Sequence, residues 1–166
     1  LFEIIDAKPQ VEELPTPYLP STNVRGGITY ESVCFSYSKG VQVLHNISFH
    51  IEPGEKIAIA GHTGSGKSTI VKLLTRFYDT DTGTIMLDDH LIRDLPLPYL
   101  REQIGLVSQD PFLFNGTVAE NILYGKLETD LEQAKKVAQA AHAEEFILNL
   151  PKGYDTLVGE RGVKLS

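Results

Sequence analysis

The 166-residue chain carries 15 basic and 22 acidic residues, a formal net charge of −7, and is 42% hydrophobic, an ordinary composition for one globular domain with a real core. That acidic balance, with no basic cluster to offset it, excludes nucleic acid as the main partner, and no apolar run approaches the roughly 18 residues needed to span a bilayer. Cys34 is the only cysteine, so no internal disulfide can form and a reducing setting is the simpler expectation.

The chain begins at Leu1 without a methionine and stops at Ser166 without a turn or cap, so it reads as a piece of something longer. Residues 1–25 read as a linker: Leu1, Phe2, Ile4 and Ile5 could close a preceding helix, and Pro9, Pro15, Pro17 and Pro20 then favour an extended, unpacked chain. Ile28 to Tyr37 is rich in β-branched and aromatic residues with imperfect alternation, which predicts a strand with one wetter face. Ser38-Lys39-Gly40 is a turn, Val43–Ile51 a second strand, and Pro53-Gly54-Glu55 its end. Two strands joined by a short turn imply an antiparallel piece.

Ile57-Ala58-Ile59-Ala60 reads as a buried parallel strand. Gly61-His62-Thr63-Gly64-Ser65-Gly66-Lys67-Ser68 then fills the pattern G-x-x-x-x-G-K-[ST], and a helix-compatible run, Thr69–Tyr78, follows at once. Strand, glycine loop and helix in that order are the context a phosphate loop requires. A triphosphate carries several negative charges, so the loop must present backbone N–H groups with no side chain in the way, which Gly61, Gly64 and Gly66 allow. The helix opening at Gly66 or Lys67 aims unpaired N–H groups and its positive dipole end at the phosphates. Lys67 supplies a point charge for the β- and γ-phosphates, and Ser68 a hydroxyl for Mg²⁺. The segment predicts a nucleotide site.

Beyond it, Asp79–Gly83 is a turn cluster, Thr84–Asp88 a short strand and Asp89-His90 a tight turn. Asp88-Asp89, after a strand, invites a metal-ligand reading, and the five histidines show no metal-ligand spacing. Leu97–Gln103 is a short helix, Ile104–Ser108 a second buried strand leading to Gln109-Asp110-Pro111, and Thr117–Leu123 a turn or two of helix. Thr129-Asp130-Leu131-Glu132 reads as a capping box opening a helix whose apolar stripe is Leu131, Ala134, Ala138 and Ala141. Pro151-Lys152-Gly153 interrupts regular structure beyond that helix, and Gly159-Glu160-Arg161-Gly162 makes the tail a loop.

Several of these stretches, in this order, carry a family resemblance. Phe35-Ser36-Tyr37, Asn46–Phe49 with Pro53-Gly54-Glu55, Phe77-Tyr78-Asp79, Val107–Phe114 with Gly116–Ile122, and Gly153–Thr156 with Val158–Gly162 surround the phosphate loop. The chain resembles the nucleotide-binding domain of ATP-binding cassette (ABC) transporters, of the lipid or multidrug exporter type fused to a membrane domain. The resemblance runs across residues 1–166. It implies an α/β fold, a P-loop NTPase core of parallel sheet and helices preceded by an antiparallel β subdomain. Residues 1–25 would be the linker from an upstream transmembrane domain, and 26–166 part of the nucleotide-binding domain.

The roles implied are specific. Tyr37 resembles the aromatic that stacks on adenine, a flat π-face for a flat base, its plain alternative being a strand-face tyrosine. His62, Thr63, Ser65 and Thr69 join Gly61, Gly64, Gly66, Lys67 and Ser68 around the nucleotide. Gln109 resembles the glutamine that reaches Mg²⁺ and the attacking water, where an uncharged amide can orient water without trapping its proton; without the resemblance it is a surface loop residue. The Gln109 loop and Gly159–Gly162 resemble the loops that face the protein's own transmembrane domain, and a second nucleotide-binding domain, identical or not, is the other expected partner.

ATP and Mg²⁺ are the expected ligands and ATP-driven export the expected activity, at the cytoplasmic face of the membrane, by an ABC-type ATPase. Leu165-Ser166 resembles the first two residues of the family's signature motif. The general base and the switch histidine of the family have no counterpart in these 166 residues, so the chain taken alone is expected not to hydrolyse ATP. The rival reading is a soluble P-loop ATPase or kinase not coupled to transport; the Gln109 and Gly159–Gly162 loops argue against it.

Overall fold

Alternating apolar residues from Ile28 onward form the strand their composition predicts. The computed structural model describes residues 11–21, 23–38, 40–109, 111–126 and 130–159, which fall into two units divided between Leu106 and Val107. In the first unit, β1 (Ile28–Ser38) pairs antiparallel with β2 (Val41–Ile51), from Ile28 opposite Ile51 to Ser38 opposite Val41. On its other side β1 takes β3 (Thr82–Leu87), which returns through a tight turn to the two-residue β4 (His90–Leu91). The sheet order is β2-β1-β3-β4.

The imperfect alternation of β1 has a cause. Its register shifts between Tyr30 and Val33, where Ser32 takes the left-handed conformation at φ 50°, as at a β-bulge. Strict alternation from Tyr30 would send Ser32 and Cys34 inward. The extra residue instead puts Tyr30, Val33 and Phe35 on the buried side.

Helix α1 (Lys67–Leu74) lies over this face. The Tyr30 hydroxyl donates to the Ile70 carbonyl at 2.8 Å, and its ring stacks on Phe49 at 4.5 Å. Burial pushes the Tyr30 hydroxyl well above the ordinary tyrosine range. Tyr30, Leu44, Leu73, Leu95 and Leu100 are almost fully enclosed, each contributing about 1.5–3 kcal/mol of burial. Helix α2 (Leu97–Glu102) supplies Leu100. Helix α1 is shorter than the sequence suggests: it ends at Leu74, and residues 75–78 form turns.

Two predicted strands are not formed. Ile57–Ala60 and Ile104–Ser108 make no ladder among the described residues, and Ile57, Ile59 and Val107 are exposed. An apolar run becomes a strand only where another strand satisfies its N–H and C=O groups, and among the described residues the first unit pairs only β1 to β4.

The expected linker also differs from its prediction. Residues 1–10 lie outside the described residues; from Val11 to Asn23 the described chain forms no helix or strand, yet it is strapped down. The Glu12 carbonyl accepts from the Arg76 guanidinium at 2.9 Å, the Glu13 carboxylate from the Leu97 N–H, and Tyr18 N–H donates to the Asp94 carbonyl at 2.7 Å. Extended prolines thus track the domain surface instead of standing off it.

Asp88 and Asp89 form the β3–β4 turn, both at positive φ (47° and 66°), which is the two-residue type I′ geometry. The Asp88 carboxylate accepts N–H groups from Arg25, Gly26 and Gly27. Burial works against its charge, but those three donors outweigh it and hold the carboxyl below the usual range.

In the second unit, β5 (Gly116–Thr117) pairs antiparallel with β6 (Leu157–Val158). Helices α3 (Val118–Leu123), α4 (Leu131–Ala140) and α5 (Glu144–Leu148) and a 3₁₀ turn at Gly153–Asp155 complete it. Val118, Ala134, Ala138, Ile147, Tyr154 and Val158 form its core. A capping box is present, but on α3: Thr117 Oγ1 accepts from Glu120 N–H while the Glu120 carboxylate accepts from Thr117 N–H. At α4 the N-cap is Asp130, which accepts from Gln133 N–H, and Glu132 pairs with Lys135 at 2.7 Å instead of reaching back. Asp beats Thr at that position because its carboxylate also meets the helix dipole; Thr129 lies outside the described residues. Of the predicted apolar stripe, Ala134 and Ala138 are buried and Leu131 and Ala141 exposed.

Candidate nucleotide-binding site

The phosphate loop is built from the end of β2 upward. Gly66 is the N-cap of α1 and is left-handed at φ 89°. A Cβ there would lie 2.6 Å from Leu44 Cδ2 and 3.3 Å from the Val43 carbonyl, so both conformation and packing against β2 demand glycine. At Gly61 a Cβ would fall 2.6 Å from Ser65 Oγ. The loop closes through Ser65 N–H to the His62 carbonyl at 3.2 Å. Helix α1 has no side-chain cap and no acidic residue in its first turn, so its N–H groups and dipole face outward uncompensated, as an anion needs.

Lys67 lies back across this loop. Its ammonium donates to the Gly61 and His62 carbonyls at 2.9 and 2.8 Å. An ammonium has three donors, so one is left for a phosphate oxygen while the other two hold the loop's curvature. Ser68 and Thr63 are exposed, whereas Thr69 is buried. The Thr69 hydroxyl pairs with that of Tyr37 at 3.1 Å and keeps capacity for a further hydrogen bond, since a hydroxyl has one donor and two acceptor sites.

Tyr37 stands near the end of β1, 45% exposed. Its ring is perpendicular to those of Phe35 and Tyr78, at 4.9 and 5.1 Å, and Lys72 Nζ lies 5.5 Å from its centroid. The first unit thus brings the aromatic residue and the phosphate loop onto one helix, α1. Gln109 belongs to the second unit, exposed on a bend. There the Asn121 side chain accepts the Phe114 N–H at 2.8 Å and donates to the Phe114 and Thr117 carbonyls at 3.0 and 2.9 Å. Gly159, at φ 100°, presses within 2.8–3.0 Å of Asn115 and Phe114 when given a Cβ. The start of the Gly159–Gly162 loop therefore packs on the stretch just after Gln109; Glu160, Arg161 and Gly162 lie outside the described residues, as do Leu165 and Ser166.

Among the described residues no group of three or more His, Cys, Asp or Glu could hold a metal. Sequence reasoning missed two residues, Lys72 and Arg76, and the pairing of Thr69, which it placed at the nucleotide, with Tyr37. Lys72 and the hydroxyl of Thr69 meet Tyr37, and their i, i+3 spacing on a helix was the available signal. Arg76, fully enclosed, is bound to Asp79 at 2.8 Å and to the carbonyls of Arg93 and Glu12 at 3.1 and 2.9 Å. It ties the end of α1 to the hairpin and to the N-terminal strap; its i, i+3 pairing with Asp79 was the one hint.

The family profile described as ABC transporter matches residues 44–166. ABC transporter B family member 19 of Arabidopsis thaliana is 46% identical over 168 aligned positions, covering 100% of this chain and 13% of that protein. The ATP-dependent lipid A-core flippase of Coxiella burnetii is 50% identical over 144, covering 86% of this chain and 24% of the flippase. A solved bacterial Atm1-family ABC exporter with ATP bound matches with a TM-score of 0.90 at 41% identity, over 99% of this chain and 29% of its own. The chain therefore spans 13–29% of the length of these proteins. Among the described residues no helix is long and apolar enough to cross a membrane. At these identities the likeness extends from fold to family: α/β in class with a P-loop NTPase core, the chain belongs to the ABC transporter family.

Proposed function

We propose that this chain is the ATP-binding part of an exporter's ATPase, joined through residues 1–25 to a transmembrane domain and working at the cytoplasmic face of the membrane. The observation that carries the reading is the phosphate loop, with its left-handed Gly66 and the Lys67 ammonium across the Gly61 and His62 carbonyls. The match to an exporter solved with ATP bound supports ATP as the nucleotide. Tyr37 stacks the base. Residues 61–69 surround the phosphates, Lys67 countering charge on the γ-phosphate and the α1 N-terminus that on its neighbours. Ser68 would hold Mg²⁺, and the family resemblance gives Gln109 the same role; the ion would neutralise phosphate charge. Gln109 also orients the attacking water.

The exposed Phe112, Phe114 and Tyr124, beside the packed Gly159 loop, support a membrane-domain contact on the second unit. A second nucleotide-binding domain, identical or not, completes the ATPase. The exported substrate contacts the membrane domain. The reading is tested by ATP turnover and transport in vesicles containing the intact protein: Gln109→Ala is expected to slow turnover and transport together by at least about tenfold while ATP still binds. Unchanged turnover in that variant removes Gln109 from the site, and turnover with no ATP-dependent transport favours the uncoupled P-loop ATPase.

A further inference from the structure

We propose that Lys72 is a positioning residue for base recognition, holding the Tyr37 ring by a cation–π contact so that one helix fixes both ends of the nucleotide. The inference rests on the reading of Tyr37 as the base-stacking residue and deepens it. Two points of α1 reach Tyr37. Thr69 Oγ1 meets the Tyr37 hydroxyl at 3.1 Å, and Lys72 Nζ lies 5.5 Å from the ring centroid, within the range of an attractive ammonium–ring contact.

Thr69 and Lys72 are three residues apart, hence on one face of the helix. Thr69 follows Ser68 directly, so the tether begins where the phosphate loop ends. Lys72 has no carboxylate partner among the described residues, which leaves the ring as its partner. Tyr78 and Phe35, both perpendicular to the ring, limit its tilt.

The consequence is a fixed distance. A tyrosine on a strand end, 45% exposed, would otherwise swing about its χ1 and χ2 angles, and a base would have to immobilise it on binding. Anchored at the hydroxyl and held at the face, the ring is already in place relative to Lys67. The ammonium also draws electron density from the ring, which favours an electron-rich purine stacked on the opposite face.

The test measures binding of a fluorescent ATP analogue to the intact protein, and its displacement by ATP or by inorganic tripolyphosphate, which has no base. Lys72→Met is expected to weaken ATP by roughly two- to fivefold, the size of an exposed cation–π contact, and to leave tripolyphosphate unchanged; Lys72→Arg restores ATP affinity. Equal weakening of ATP and tripolyphosphate overturns the inference, because Lys72 would then be a phosphate cation. No change in Lys72→Met while Tyr37→Ala loses ATP affinity also overturns it, leaving base stacking intact. No change in Tyr37→Ala removes the base-stacking reading and this inference with it.

Discussion

The β1–β2 pair buries Tyr30, Val33, Phe35 and Leu44 to 3% exposure or less, whereas Ile57, Ile59 and Val107, no less apolar, remain 46%, 41% and 96% exposed. The difference lies in where each finds a partner. β1 and β2 are neighbours in the chain, so closing the loop between them costs little entropy and each satisfies the other's backbone groups. Ile57–Ala60 and Ile104–Ser108 have no such neighbour among the described residues, and apolarity alone cannot make a ladder. In the phosphate loop the two behaviours meet: its C-terminal side rests on β2 through Gly66, and its N-terminal side continues from Ile57–Ala60.

Three substitutions sharpen that contrast. Leu44→Ala removes a buried side chain that also touches the Gly66 position, and should cost about 2–5 kcal/mol in denaturant unfolding; a loss below about 1 kcal/mol would show that the sheet does not support the loop. Asp88→Asn weakens the three N–H contacts that hold residues 25–27 to the hairpin turn, a loss of about 1 kcal/mol near neutral pH for a partly exposed group. Because the folded carboxyl titrates below the ordinary value of 3.8, its contribution is present above that value and fades as pH falls through the folded one. The gap between the parent chain and Asp88→Asn should therefore close on acidification below about pH 4, and a gap that widens would reverse the sign. Ile59→Ser, at an exposed site, should stay within about 0.5 kcal/mol in the 166-residue chain. A cost above about 2 kcal/mol would mean that Ile59 is buried after all, and the contrast would break.

What was legible in the sequence was local. The glycine loop and the β1 and β2 strands arise from residues close in the chain, each with its own backbone requirement; the tight turn expected at Asp89-His90 forms one residue earlier, at Asp88-Asp89. The capping box at Thr117 went unread although Thr117 and Glu120 have the same spacing as Thr129 and Glu132, because spacing does not say which residue begins the helix. Burial of Arg76 was invisible because it depends on the Glu12 and Arg93 carbonyls, far along the chain. The contact of Lys72 with Tyr37 was invisible because it depends on how α1 lies against β1. At the site, the phosphate side was readable from the motif alone, while the pairing of the Thr69 hydroxyl with that of Tyr37 was not.

The most direct test is Mg·ATP binding by the intact protein and by its Lys67→Ala variant, followed by titration calorimetry. A triphosphate seated in this loop predicts saturable binding that weakens by about tenfold or more when Lys67 is removed, the loss expected for one charge-assisted contact to phosphate. Equal affinity in the two proteins would mean that the loop closed by Gly61, Gly66 and Lys67 is not where the triphosphate sits.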